Sequence, residues 1–382
     1  MKLINYFSFL VFIVVTYTVD AQYLTFSHGG LNRKYLYYAP PGLPANSPLI
    51  VVMHGYSDDA SAIQNYSGMD LIADAYGFAV CYPRGTVDHT GQRFFNVGYD
   101  FNVGIDTVND LDFVEDLAVY LQQSQGLDSN RTYATGLSNG GDMCYKIACE
   151  GSGVFKAVAP VAGMILQSIL SNNTNYSPIP ICEFHGTLDN VTYFTGDPTN
   201  MDGWGAYPSL PSTINYFSGL NSCNQIATDT LADTDPSDGS FIIREKHSIN
   251  GSNCNQVWLY KVVGGGHDWI GSWGNMDVSA GVEMVEFFQD VYCNSLTSID
   301  PQISNNKPLK VYPNPANSQI NVKVDATLLG SVYTVYDNTG KLVLNGKIFS
   351  EHSVIELGDL SRGLYLFRMG ENFTQTVKIL KE

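Results

Sequence analysis

Apolar residues in the larger, N-terminal part of the chain come in two textures. Leu49-Ile50-Val51-Val52-Met53 and Phe78-Ala79-Val80-Cys81-Tyr82 are unbroken apolar runs, the second stopped by Pro83. Short runs with no polar interruption belong to strands covered on both faces. Between them the period changes. From Asp110 to Gln123, the residues Leu111, Val114, Leu117, Ala118 and Leu121 share one helical face, with acids in the first turn where the helix dipole favours them. Ala157–Val161, Ile179–Phe184 and Val257–Val263 predict later strands, and a helix is predicted near Val278–Val291. Strands alternating with helices from Tyr35 to about Cys293 predict an α/β fold: a mostly parallel sheet covered on both faces, with its site at the carboxyl ends of the strands.

Two stretches break this rhythm. Residues 193–256 are rich in Gly, Ser, Asn, Asp and Pro and predict an excursion over the site, and the polar residues 294–307 predict a linker. Beyond it, Ile320-Asn321-Val322-Lys323-Val324 and Val332-Tyr333-Thr334-Val335-Tyr336 alternate with period two, and Asn338-Thr339-Gly340 and Asn345-Gly346 mark turns. Residues 308–382 therefore predict a small C-terminal antiparallel β-sandwich domain. At the other end, Lys2, the apolar centre Leu10–Val15 and the small-residue site Val19-Asp20-Ala21 read as a signal peptide over residues 1–21. Its apolar core is too short for a comfortable membrane span, and nothing later approaches the required length. The mature protein is expected to be secreted, with no membrane span.

A formal net charge of −17 argues against nucleic acid or an anionic membrane as partner. Seven cysteines are an odd number, so at least one is free or paired between molecules. No Cys-x-x-Cys pair occurs, and a zinc site is not expected. Cys223 and Cys254 flank a polar segment and are the expected bridge.

Candidate chemistry starts at Gly136-Leu137-Ser138-Asn139-Gly140. If the β-prone Arg131–Thr135 enters as a strand and Asp142–Cys149 leaves as a helix, Ser138 sits on a turn too tight for side chains two residues either side. The alternative is a glycine-rich loop that happens to hold a serine. A nucleophilic serine needs a histidine base, an acid to orient it and donors for the oxyanion. In an α/β-hydrolase these follow in the order Ser, Asp or Glu, His. His28 and His89 precede the serine, and His247 and His352 lie in a polar loop and in the small domain. His267, in Gly264-Gly265-Gly266-His267-Asp268-Trp269, follows the last predicted strand of the α/β region and is the candidate base. Asp189, ending His185-Gly186-Thr187-Leu188-Asp189, is the candidate acid, while Asp197 and Asp202 sit further into the loop. The amides of Asn139 and Tyr56 are the candidate oxyanion donors. Gly55 permits close approach, and His54 is expected to be a structural hydrogen-bonder. Trp269 is the candidate substrate contact, with packing of the base loop as its other reading. No metal or organic cofactor is needed.

The same residues resemble a known family. Asn130–Gly141, Ala157–Gly163, Met53-His54-Gly55, Tyr82-Pro83-Arg84-Gly85, the acid segment and the base segment are similar to secreted polyhydroxybutyrate depolymerases and the related feruloyl and acetylxylan esterases. Over about residues 25–293 the resemblance implies an α/β-hydrolase fold, ester hydrolysis, and Ser138, Asp189 and His267 as triad. Two departures touch the pocket: Tyr56 stands where the family often has cysteine, and Val191-Thr192-Tyr193 approximates its Val-Pro-Tyr. Polyester and plant-wall esters both stay open as substrates, and a non-catalytic secreted glycan binder or adhesin is the reading from another class. The C-terminal residues Val311–Ala316, Val335–Lys341, Leu360–Tyr365 and Lys378–Lys381 resemble the type A sorting domain of type IX secretion, which implies the type IX machinery as partner, export to the cell surface or medium, and removal of the domain.

Overall fold

The computed structural model describes residues 22–172, 177–292, 309–324, 328–337, 341–369 and 375–381. The predicted signal peptide and linker lie outside them. The chain enters on an antiparallel hairpin, β1 (Leu24–His28) and β2 (Leu31–Tyr38). The apolar run Leu49–Met53 is β3, buried at every position. Helices α1 (Ala60–Ser67) and α2 (Met69–Tyr76) lead to β4 (Ala79–Pro83), and a two-residue ladder of β5 (Thr86–Val87) and β6 (Arg93–Phe94) precedes α3 (Asp110–Gln125). The Asn109 side chain caps α3 by accepting the Asp112 N–H, and Gly126 ends the helix in the left-handed region. Next come β7 (Thr132–Leu137), α4 (Asn139–Glu150), β8 (Ala157–Val161), α5 (Gln167–Asn172) and β9 (Ile181–Gly186). Then α6 (Leu210–Leu220), β10 (Gln225–Thr230), β11 (Phe241–Ile249), β12 (Ser252–Val263) and α7 (Ala280–Asp290) complete this part.

Ten strands form one sheet in the order β1-β2-β4-β3-β7-β8-β9-β12-β11-β10. The six from β4 to β12 run parallel, and antiparallel strands extend both edges. Alternation in β3 supplies both cores. Val51 and Met53 pack with Phe113, Leu117 and Met143 of α3 and α4, while Ile50 and Val52 pack with Ile72, Val285 and Phe288 of α2 and α7. The central strands are covered on both sides, which explains their unbroken apolar runs.

The segment 193–256 corrects the expected excursion. Part of it builds sheet: β10 and β11 pair outward from β12. All six residues of β10 are exposed, so an uncovered edge strand has the composition of a loop. The expected bridge is corrected too. Cys254 is disulfide-bonded, but Cys223 is a free thiol, its Sγ 3.5 Å from the Asn255 carbonyl oxygen.

The C-terminal part comprises β13 (Lys310–Tyr312), β14 (Gln319–Lys323), β15 (Val332–Asp337), β16 (Leu342–Lys347), β17 (His352–Glu356), β18 (Gly363–Met369) and β19 (Gln375–Lys381). They form two antiparallel sheets, β13-β14-β17 and β16-β15-β18-β19, around Ile320, Val322, Val335, Ile355, Phe367 and Ile379. Asn345-Gly346, expected to turn, lies inside β16. A Cβ on Gly346 would lie 2.7 Å from the ring of its cross-strand partner Tyr333, so this glycine makes room for an aromatic ring. On the α/β part, Lys378 pairs with Glu283 and Glu286 of α7, and the Arg368 guanidinium lies over the Tyr76 ring. Among the described residues no helix is long and apolar enough to cross a membrane.

Candidate active site

Ser138 occupies the turn between β7 and α4 at φ 54° and ψ −119°, outside the conformations most residues adopt. Its N–H is held by the Val161 carbonyl at 2.8 Å. The flanking glycines have the expected reason. A Cβ on Gly136 would lie 2.6 Å from the Gly140 carbonyl carbon, and one on Gly140 would lie 2.3 Å from the Met53 carbonyl oxygen. Backbone cannot yield as a flexible side chain can. Gly140→Ala should therefore cost about 3 kcal/mol or more of stability, measured as a lowered urea midpoint.

The acid and base come from the ends of neighbouring parallel strands, β9 and β12. His267 Nδ1 lies 2.7 Å from Asp189 Oδ2. The other carboxylate oxygen, Oδ1, accepts the N–H groups of Val191 and Thr192, both at 2.8 Å. The two loops are also stitched together: Leu188 N–H donates to the Gly265 carbonyl at 2.9 Å, and Gly264 N–H donates to Thr187 Oγ1 at 2.9 Å. Asp189 is buried and His267 partly so, which leaves the imidazole one open side. Asp197 accepts the Asp202 N–H within its own loop. Among the described residues, neither hydrogen-bonds His267.

The loop after β3 places His54, Gly55 and Tyr56 beside the elbow. A Cβ on Gly55 would sit 3.6 Å from Ser138 Cβ. His54 Nε2 accepts the Gly85 N–H at 3.0 Å, so its Nδ1 carries the proton and donates to the Gly55 carbonyl at 2.7 Å. That bond orients the planar Gly55–Tyr56 peptide and with it the Tyr56 N–H. Burial lowers the His54 pKa from 6.5 to about 4. The unfolded chain therefore binds the extra proton first, and this site loses stability as pH falls from about 6.5 to about 4. Across that window wild type should lose roughly 3 kcal/mol more than His54→Gln in urea denaturation.

Ser138 and His267 line one cavity of about 270 Å³ with Tyr56, Tyr99, Asp142, Met164, Val191, Thr192 and Trp204. The Tyr56 ring meets the Trp204 indole edge-on, centroids 5.2 Å apart, so the tyrosine in place of the family's frequent cysteine forms wall. Trp269 is a correction. Its side chain is in the core at 1% exposure and does not line the cavity, and its backbone N–H donates to the Tyr66 hydroxyl. It packs the base loop. Sequence reasoning missed Trp204, whose polar loop resembled its surroundings, and the side chain of Asn139. That side chain accepts the Phe95 N–H at 2.7 Å and donates to the Phe95 carbonyl and the Tyr99 hydroxyl at 2.9 and 3.0 Å. Tyr99 donates in turn to Asp142 at 2.5 Å, where burial pushes the carboxyl up to about 7.

Ser138 between its glycines and the His267–Asp189 pair all lie at the carboxyl ends of parallel strands, where an α/β-hydrolase fold carries its site. Residues 33–201 match the esterase PHB depolymerase family and residues 310–382 match the secretion system C-terminal sorting domain. The first match ends before His267. The α/β part is thus similar to this esterase family, and the C-terminal part to a sorting domain of secretion systems. Over 253 residues it is 29% identical to a protein of Nocardia uniformis subsp. tsuyamanensis that carries the name esterase NocK, covering 63% of this chain and 72% of that one. Over 250 residues it is 29% identical to poly(3-hydroxyalkanoate) depolymerase C of Paucimonas lemoignei, covering 62% and 58%. It is 30% identical over 162 residues to the bifunctional acetylxylan esterase/xylanase XynS20E of Neocallimastix patriciarum, covering 42% and 22%. The chain thus spans most of the first relative and less than two thirds of the other two. The solved acetyl xylan esterase from Aspergillus awamori superposes with a TM-score of 0.49 at 17% identity, over 71% of this chain and 99% of that one.

Proposed function

We propose that the protein is a secreted serine carboxylesterase working through an acyl-enzyme, with hydroxyalkanoate-type polyesters or their oligomers as first substrate class. The observation that carries this reading is the convergence of Ser138 and the hydrogen-bonded His267–Asp189 pair on one cavity. Ser138 Oγ attacks the ester carbonyl carbon while His267 Nε2 takes its proton. The oxyanion is held by the N–H groups of Tyr56 and Asn139; the latter opens α4, where first-turn amides have no partner within the helix. His267 then protonates the departing alcohol, and water, deprotonated by the same histidine, releases the acid.

Exposed apolar side chains flanking the candidate acid support the polyester class. Leu188 and Val191, beside Asp189, are 69% and 44% exposed. The aromatic wall of Tyr56, Tyr99 and Trp204 favours a second reading, a planar aromatic acyl group such as a ferulate. The proposal extends to a signal peptide at residues 1–21, a linker at 294–307 and removal of the sorting domain after export. A panel of hydroxybutyrate oligomers, methyl ferulate, acetylated xylan and short nitrophenyl esters on the purified enzyme tests it. Fastest turnover of the oligomers is expected, and preference for methyl ferulate would select the second reading. Hydrolysis of none, with no fluorophosphonate labelling of Ser138, would leave a non-catalytic secreted binder.

A further inference from the structure

Behind the catalytic acid stands a second histidine that the scheme above leaves unused. His185 lies in β9 with its side chain fully buried. Its Nδ1 is 2.9 Å from Glu183 Oε1, and its Nε2 is 2.8 Å from the Thr192 carbonyl oxygen and 3.5 Å from Asp189 Oδ2. A carbonyl only accepts, so Nε2 carries a proton; Nδ1 faces a carboxylate, which accepts as well. With Glu183 ionised, both ring nitrogens are protonated and Glu183 is the counter-ion; burial raises that carboxyl to about 7, and the His185 hydrogen bond and charge oppose the rise. The Tyr145 hydroxyl donates to the other Glu183 oxygen, Oε2, at 3.0 Å, and the Gly163 N–H donates to Oε1 at 3.3 Å.

We propose that the Glu183–His185 pair is a positioning unit for the catalytic acid, fixing the 189–192 turn and presenting a positive charge to the same Asp189 oxygen that His267 engages. It rests on the triad reading above. The turn is clamped from both sides, because Thr192 gives its carbonyl to His185 and its N–H to Asp189 Oδ1. Burial works against a charged His185, but the Glu183 and Asp189 carboxylates outweigh it and the net direction is upward. The other groups facing the pair are Asp142, Cys144 and Tyr145 of α4. All three are held toward their neutral forms by burial.

Two variants test the unit. Glu183→Gln keeps the shape and removes the counter-ion, so His185 reverts to a neutral ring still bonded to Thr192. His185→Gln removes the ring and its charge. On a short nitrophenyl ester both should lower kcat/KM about 10- to 100-fold, mainly through kcat, as losing the partner of an oriented group does. A loss that comes through KM with kcat kept would reduce the pair to packing and overturn the proposal. Nitrogen NMR of histidine-labelled protein gives a readout that needs no turnover. Above neutral pH, wild type should show one doubly protonated ring, identified by its loss in His185→Gln. A neutral His185 ring would overturn the proposal even if Glu183→Gln fails to fold. Wild type that fluorophosphonate does not label would instead overturn the triad reading, whatever this ring shows.

Discussion

Replacing Ser138 with alanine should lower kcat on nitrophenyl and hydroxybutyrate esters by roughly 10⁶-fold and leave the fold standing. The size follows from what is removed and what remains. The variant has no nucleophile on the elbow, and His267 has no hydroxyl to deprotonate. The backbone donors and the cavity persist, and such sites still accelerate hydrolysis about 10³- to 10⁴-fold over water. The other residues lining the cavity offer no ready replacement. Asp142 is already bonded to Tyr99 and Met164, and the Tyr56 hydroxyl is turned to Asp88 at 2.6 Å. Alanine also tolerates the backbone about as well as serine does, since both carry a Cβ at φ 54°. Thermal midpoint and substrate affinity should therefore stay near wild type while turnover and fluorophosphonate labelling disappear. Retention of activity within tenfold would place the nucleophile elsewhere and dismantle the scheme.

The parts of this molecule that were legible in its sequence share a physical cause. Residues 49–53 and 157–161 are buried on both faces, and only a central strand of a covered parallel sheet demands that. Gly136 and Gly140 are forced by close backbone contacts, and Asp189 meets His267 because the sheet sets the ends of β9 and β12 side by side. What was illegible depended on neighbours distant in sequence. Residues 225–230 look like loop because nothing covers them, and they pair with β11 all the same. Asn345-Gly346 has turn chemistry but serves the Tyr333 ring across the sheet. Trp269 sits two residues from the base and still points into the core, since direction and not proximity decides what an indole touches. Trp204, Asn139 and the Glu183–His185 pair became visible only when their partners were in place, because each acts through hydrogen bonds or ring contacts with other segments.

Asp189→Asn should cost about 10⁴-fold in kcat with little change in KM, and the direction of the amide makes the outcome specific. Asp189 Oδ1 accepts two backbone N–H groups, from Val191 and Thr192. Only the carbonyl oxygen of an asparagine can take that place, so its NH₂ must turn toward His267 Nδ1. His267 would then accept at Nδ1 and hold its proton on Nε2, the nitrogen that has to receive the Ser138 proton. The base is kept in the wrong tautomer with geometry almost unchanged, which for triads costs about four orders of magnitude. The same NH₂ would also confront the His185 Nε2–H, 3.5 Å from the oxygen it replaces, and this adds pressure to shed the second proton of that ring. Steady-state kinetics together with the NMR of both rings reads the two effects at once. Loss of activity below tenfold, or His267 still protonated on Nδ1, would mean that Asp189 does not orient the base.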